Sequence, residues 1–511
     1  MNNNFYYEKW NKIKNNTPDI GKVSKIAKQI AFSFMDGYLQ NGSYEEKFIT
    51  MLCEMATFSN KPEINAPAAK ALFGIIVESL CDDFEELQTK TYNRVMAQVI
   101  SYCRNLEIGK ELDSCLKKFG INSHQELLQY VEKVRNNNNK LDNSAPIKKI
   151  ILLSRVTIGA DIAITSVIIQ RVNKEFPNAQ IIIIGPDKLK EIYSANTKIT
   201  IKPVPYKRRG GLMERLKSWH LVLEYIQEEI SSSSLDNVVV LDPDSRLSQL
   251  GVLPLISLSN YYFFPSRSVN YFNSTMSMPE ITNMWLDSIF KTKSFHYPNV
   301  WHLNKNREKA LLFYKQLRQY NKYKIIMINF GVGGNPRKTL GQEFETKLLL
   351  TLLKEPNTII ILDKGFGEQE EKYADELLEK VELYKFSRED IDFSRINLYN
   401  QEINFSNRNI IGIQSTIGEM SALISQSDEY IGYDSAGQHI AVATKIPCLT
   451  IFAGSNNTHF TRRWSAYGKN YSNIIHVDTL SNPNFIDIEN IISRIMYIRK
   501  SRENNGNTGK K

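Results

Sequence analysis

Asp434, Ser435, Gly437 and His439 follow directly on the apolar stretch Glu429–Gly432. Small residues let a ligand approach the backbone, and free N–H groups at a helix start attract an anion. A helix-like run, His439 to Thr444, comes next. Beyond Pro447 lies another buried-strand pattern, Leu449–Phe452. The order is strand, turn, helix, strand, with the turn at a strand's carboxyl end. Open α/β sheets bind ligands there, so the spacing points to a phosphorylated or nucleotide-linked ligand. Taken alone, His439 reads as a satisfied helix histidine; its neighbours on the same turn shift that balance toward a ligand contact.

A second loop follows the apolar run Tyr323–Phe330 and reads Gly331-Val332-Gly333-Gly334-Asn335-Pro336-Arg337-Lys338-Thr339. Its glycines expose backbone N–H groups, and its two cations would neutralise phosphate charge. The spacing is not that of a Walker A loop. A third turn, Arg155 to Asp161, joins the run Lys149–Ser154 to a helix pattern. Gly159 permits a tight bend, and Asp161 is expected at the helix start, facing a cleft, as a base or as a helix cap. Asp242, Asp244 and Arg246 follow the run Asn237–Leu241; they could bind an acceptor or pair with one another. Arg208 and Arg209, in a basic run before Gly210, could hold an anionic acceptor, touch a membrane surface or sit in solvent.

These turns need sheets to carry them. From Lys149 onward, short apolar runs alternate with helix patterns, as in parallel strands buried on both faces. The rhythm restarts at Tyr323, which predicts two α/β halves with a cleft between them and a crossing over 261–321. Residues 6–134 show apolar positions at three- and four-residue spacing and read as helical. The polar stretch Asn136–Ser144 marks a linker. The expected division is 1–144 helical domain and linker, 145–320 first α/β domain, 321–500 second α/β domain, and 501–511 disordered tail.

The chain has 511 residues and a net charge of +9, which favours an anionic partner. Its five cysteines form no CxxC pair, so neither a disulfide framework nor a zinc site is expected, and the setting reads as reducing and cytoplasmic. No apolar leader and no spanning run of about 18 residues is visible. Lysines and arginines do not form a stripe with interleaved aromatics, which argues against nucleic acid.

Four stretches together resemble glycosyltransferase family 9, whose familiar members are the ADP-heptose:lipopolysaccharide heptosyltransferases. They are RVTIGADIAITSVIIQRVNKEFPNAQI, NFGVGGNPRKTLGQEF, GIQSTIGEMSALISQSDEYIGYDSAGQHIAVATKIPCLTIFAG and RRWSAYG, in family order over about residues 148–480. The resemblance implies a GT-B fold, two Rossmann-like domains facing a cleft, here with an added helical N-terminal domain. It implies inverting, metal-independent transfer with no cofactor, the nucleotide-sugar donor, ADP-heptose by family precedent, being a substrate. Asp161 matches the family's catalytic aspartate, and Lys338 its donor-phosphate lysine. Asp434, Ser435 and His439 match the donor turn, with Gly437 within it and Ala436 standing where the family commonly has Gly; Gly331 and Gly333 lie in the preceding loop. Gly159, Asp242, Asp244, Arg246, Arg208 and Arg209 fall to the acceptor side. The pattern departs from the family where Ala160 separates Gly159 from Asp161, where Val167 replaces a proline and where Thr339-Leu340 replaces Trp-Pro.

The implied partners are a nucleotide sugar and a glycan or lipid-linked acceptor, with peripheral contact at the inner membrane face. Two alternatives stand beside this. One is a protein glycosyltransferase whose helical domain recruits a polypeptide; the other is a nucleotide-sugar-binding scaffold without catalysis.

Overall fold

Alternation of side chains along the apolar runs sets the layers. In a computed structural model the described residues are 3–16, 19–81, 84–142, 144–208, 210–268, 275–319, 323–398, 409–482 and 485–508. The first sheet contains β1 (Lys149–Leu153), β2 (Gln180–Gly185), β3 (Ile199–Pro203), β4 (Val238–Asp242) and β5 (Tyr261–Phe263). The second contains β6 (Lys324–Asn329), β7 (Thr358–Asp363), β8 (Arg388–Asp392), β9 (Ile410–Gln414), β10 (Glu429–Tyr433), β11 (Cys448–Phe452) and β12 (Ser472–His476). All pairings among them are parallel, in the orders β3-β2-β1-β4-β5 and β12-β11-β10-β6-β7-β9-β8.

Each sheet starts in its middle and winds outward both ways, which creates a switch point where ligands are bound in such folds. In the first sheet it lies between β1 and β4, so the turns after Leu153 and Asp242 meet there. In the second it lies between β6 and β10, and brings the Gly331–Thr339 loop beside the Asp434 turn.

Ile150 and Leu152 of β1 point into one core, Ile151 and Leu153 into another. The same period of two divides Ile325 and Met327 from Ile326 and Ile328 in β6. One face of each sheet therefore shares a central core, filled by Ser166–Glu175, Met278–Phe290 and Asn304–Arg318. The far face of the second sheet is covered by helices that include Ile488–Thr508.

The helical segment is fused to this architecture. Its helices, from Asn3–Lys14 to His124–Arg135, bury Trp10, Phe34, Leu52 and Ile100 in the same core that takes Ile151, Leu153 and Trp219. It forms the outer layer of the first sheet together with Leu212–Ser231. The linker is pinned as well. Asn137 and Asn139 donate side-chain hydrogen bonds to the Leu258 carbonyl at 3.0 and 2.8 Å, and Leu141 N–H reaches Ile289 O at 2.8 Å. These bonds satisfy backbone acceptors just before β5 and near the end of the helix Met278–Phe290.

The expected disordered tail is corrected in part: helix continues to Thr508, and Arg502 donates to Asn473 at 2.7 Å. Residues 509–511 lie outside the described residues.

Candidate functional site

The second switch point assembles from β10 upward. Tyr433 ends the strand and Asp434 begins the turn, 7% exposed. Lys338 forms an ion pair with one Asp434 carboxylate oxygen, and Gln438 donates to the other at 2.7 Å. Lys338 also lies 5.5 Å from the Phe460 ring centre. The loop and the turn are 96 residues apart in sequence yet are joined here by charge.

Close packing dictates the glycines. A Cβ at Gly437 would lie 1.9 Å from the Tyr430 hydroxyl, so only glycine fits the first turn of Ala436–Ala443. A Cβ at Gly454, beyond β11, would lie 2.3 Å from the Arg337 carbonyl. Gly333 bends the loop with φ of 61°, and Asn335 accepts from Arg337 N–H. Gly331 sits against Glu370. Ser435 stands at the N-cap position of the helix, but its side chain makes no capping bond. His439 is 3% exposed, its Nδ1 has no hydrogen-bond partner, and burial pushes its pKa down to about 4. The imidazole is therefore neutral at physiological pH.

Behind the turn, the Tyr433 hydroxyl accepts from Leu340 N–H at 3.0 Å and donates to Glu345 at 2.8 Å. Tyr373 donates to the same carboxyl at 2.7 Å. Burial raises the Glu345 pKa to about 7, although both phenols pull it down. This buried carboxyl ties the Lys338 loop to β10, and nothing in the local sequence marked it.

The first switch point touches the second. A Cβ at Gly159 would lie 3.1 Å from His439 and 3.3 Å from Ala436. Arg155 lies 6.0 Å from the Trp464 ring centre, and Trp464 packs edge-on to His439 at 6.3 Å. Val156, β-branched, sits at φ of 71°, a strained conformation at this meeting point.

Asp161 does not face a cleft, which corrects the expectation. Its carboxylate is fully buried and accepts from the Ser154 hydroxyl at 2.7 Å, Arg155 N–H at 2.8 Å and the Thr165 hydroxyl at 2.8 Å. It lies two residues past the contact made by Gly159 and folds inward to hold the turn. Burial raises its pKa to about 6 against these three donors.

The remaining acceptor-side residues pair within the protein. Asp242 is buried, accepts from Ser245 N–H at 2.7 Å and the Tyr261 hydroxyl at 2.6 Å, and has its pKa raised by burial to about 6. Asp244, at φ of 61°, accepts from Ser266 at 2.7 Å and Arg267 at 3.0 Å, with Arg155 at 3.5 Å. Burial would raise its pKa, but the two arginines outweigh that and hold it low. Arg246 and Arg208 both pair with Glu78 of the helical segment, at 3.1 and 2.6 Å. The pair lowers the Glu78 pKa to about 2 despite its burial. Asp242 and Asp244 thus do not pair with Arg246, as the sequence had allowed. Arg209 lies outside the described residues.

Residues 386–488 match the family described as glycosyltransferase family 9 (heptosyltransferase). No curated protein matches the chain. Among solved structures, a family 9 glycosyl transferase from Veillonella parvula is 16% identical with a TM-score of 0.47, covering 70% of this chain and 92% of its own. ADP-heptose lps heptosyltransferase II of E. coli is 13% identical with a TM-score of 0.44, covering 70% and 99%. E. coli heptosyltransferase WaaC with ADP is 11% identical with a TM-score of 0.42, covering 64% and 93%. The family match spans β8 to β12 and includes the whole Asp434–His439 turn. Over that segment the chain is similar to glycosyltransferase family 9.

Proposed function

We propose that the chain moves a heptose or related sugar from a nucleotide-diphosphate donor, ADP-heptose first among them, to a glycan or lipid-linked acceptor, with inversion and with neither metal nor cofactor. The observation that carries this reading is the Lys338–Asp434 pair at the second switch point, which joins the glycine-rich loop to the turn that the family match covers. As the sugar leaves, negative charge grows on the diphosphate. Lys338, together with the N–H groups of Ser435 to Gly437, is preorganised to meet that growing charge. Gly331 and Gly333 leave the facing loop free of side chains over the same space. Asp434 and Gln438 hold the lysine and the turn in register.

The acceptor hydroxyl must lose a proton. Asp161 is the carboxylate nearest along the chain to the contact between the two turns, and its pKa of about 6 suits a base at neutral pH. To act it must release at least one of its three donors as the acceptor arrives. We place the reaction in the cytoplasm, at the inner membrane face, where the net charge of +9 favours anionic lipid. Among the described residues no helix is long and apolar enough to cross a membrane.

The test is a binding and turnover screen of purified protein against ADP-heptose and UDP-, GDP- and dTDP-sugars, with Lys338→Ala alongside. One donor that binds, weakened by Lys338→Ala, supports the reading and names the nucleotide. Failure of every nucleotide sugar to bind overturns it.

A further inference from the structure

One flank of the helical segment is apolar and basic at once. Helix Ile20–Asn41 buries Val23, Ile26, Ile30 and Phe34 in the core shared with the first sheet. Its other side carries Phe32 and Leu39, one heptad apart and 54% and 71% exposed. The preceding helix, Asn3–Lys14, lies alongside, where the Tyr6 and Ser33 hydroxyls are hydrogen-bonded at 2.8 Å. Lys14 reaches the opposite way, to Glu54 of the helix Glu46–Met55. These two contacts fix how the first helix is turned. Phe5, Lys9 and Lys12, at four- and three-residue spacing, occupy its side away from Glu54, next to the exposed side of Ile20–Asn41. Phe5 is 40% exposed.

Lys22, Lys25 and Lys28 extend the flank along the second helix at three-residue spacing. Among the described residues none of these five lysines forms an ion pair, whereas Lys14, Lys90 and Arg94 of the same segment each hold a glutamate. Lys9 instead lies 4.1 Å over the Phe5 ring. The acidic residues nearby are Glu8, Asp19 and Asp36, and Asp19 is engaged as a helix cap by Gly21 N–H at 2.7 Å. Water suits the lysines and not the rings or the leucine. A bilayer with acidic headgroups suits both: the rings and Leu39 enter the acyl boundary, while the lysine stems carry their ammonium groups to the lipid phosphates.

We propose that this flank, Phe5 and Lys9 with Lys25, Lys28, Phe32 and Leu39, docks the protein on an anionic lipid bilayer. It names the surface for the membrane placement given above and rests on that placement, but not on the donor chemistry.

The experiment is flotation of the full chain with vesicles of phosphatidylglycerol and phosphatidylethanolamine, beside vesicles of phosphatidylcholine alone. Wild type is compared with Lys25→Glu/Lys28→Glu and with Phe32→Ser. The control is Lys305→Glu/Lys315→Glu, an equal change of charge on exposed lysines of Asn304–Arg318. Wild type should bind the acidic vesicles, release them as salt rises and leave phosphatidylcholine unbound. Lys25→Glu/Lys28→Glu should weaken binding roughly tenfold or more, and Phe32→Ser several-fold. The control should bind as wild type does, and melting should not move in any variant, because every altered side chain is exposed. Equal weakening by the control overturns the proposal, since total charge alone would then explain binding. Equal binding by wild type and Phe32→Ser overturns it as well. So does absence of binding to the acidic vesicles, which would leave the flank to a protein partner. Nucleotide-sugar binding by Lys25→Glu/Lys28→Glu without vesicles should equal that of wild type, so failure of lipid docking and failure of the donor site are read separately.

Discussion

The two switch points have the same architecture and opposite states of satisfaction. At the first, Asp161, Asp242 and Asp244 are buried and each carboxylate is filled by internal donors. At the second, Lys338 is a quarter exposed, Ser435 makes no capping bond and His439 keeps an unpartnered nitrogen. A turn whose polar groups are used up serves the fold; a turn with unfilled groups is built to receive something. Substitutions at the first should therefore cost stability, and substitutions at the second should cost binding.

The largest effect is expected at Asp244. Asp244→Ala leaves Arg155 and Arg267 without their shared carboxylate in a buried site, at a cost of about 3–5 kcal/mol. Thermal unfolding would show it, and an unchanged melting temperature would break the comparison. Asp161→Ala strands three donors and should cost about 3 kcal/mol. Asp161→Asn keeps size and one acceptor oxygen. If Asp161 only holds the turn, the Asn variant keeps turnover; if it is the base, the Asn variant folds and is inactive.

Glu345 sharpens the comparison from the other side, since it is a buried carboxyl that braces the ligand turn. Burial lets the folded carboxyl keep its proton up to about pH 7, against 4.5 for an ordinary glutamate. Between those values the folded state binds more protons than the unfolded chain, so stability falls as pH rises through that window. The loss is on the order of 3 kcal/mol. Glu345→Gln should flatten this part of the stability profile, and an unchanged slope would show that the carboxyl is not perturbed.

Lys338→Ala should weaken donor binding roughly 10- to 100-fold, the worth of a charge-assisted contact. Its effect on melting should be small, because the Asp434 it abandons still accepts from Gln438. A Lys338→Ala protein that melts like Asp244→Ala would erase the distinction between the two turns.

What the sequence disclosed follows from which interactions are local. Strands buried on both faces, such as Gln180–Gly185 and Thr358–Asp363, announce themselves as unbroken apolar runs. The edge strand Arg388–Asp392 is charged along most of its length, and Tyr261–Phe263 is three residues long, so neither shows the pattern. Gly412 in β9 is small because Leu378 and Asp390 press on it, a cause that lies outside its own strand. The Asp434 turn was legible because its small residues are contiguous. The direction of Asp161 was not, since it depends on Ser154 and Thr165 closing around the carboxylate. The partner of Arg208 and Arg246 was hidden altogether, because Glu78 lies 130 and 168 residues away in sequence.

That last pairing carries the smallest expected effect. Arg208 is half exposed and shares Glu78 with Arg246, which is far more enclosed and binds both carboxylate oxygens. Removing Arg208 leaves Glu78 paired, and exposed ion pairs contribute about 0–1 kcal/mol. Arg208→Ala should therefore shift melting within that range. Arg246→Ala should shift it more, because the surviving partner is the looser, solvated one. If Arg208 instead contacts an acceptor, Arg208→Ala would raise KM for acceptor with melting unchanged. Measuring both quantities on the same two variants separates a brace between the helical segment and the first sheet from a residue that the acceptor uses.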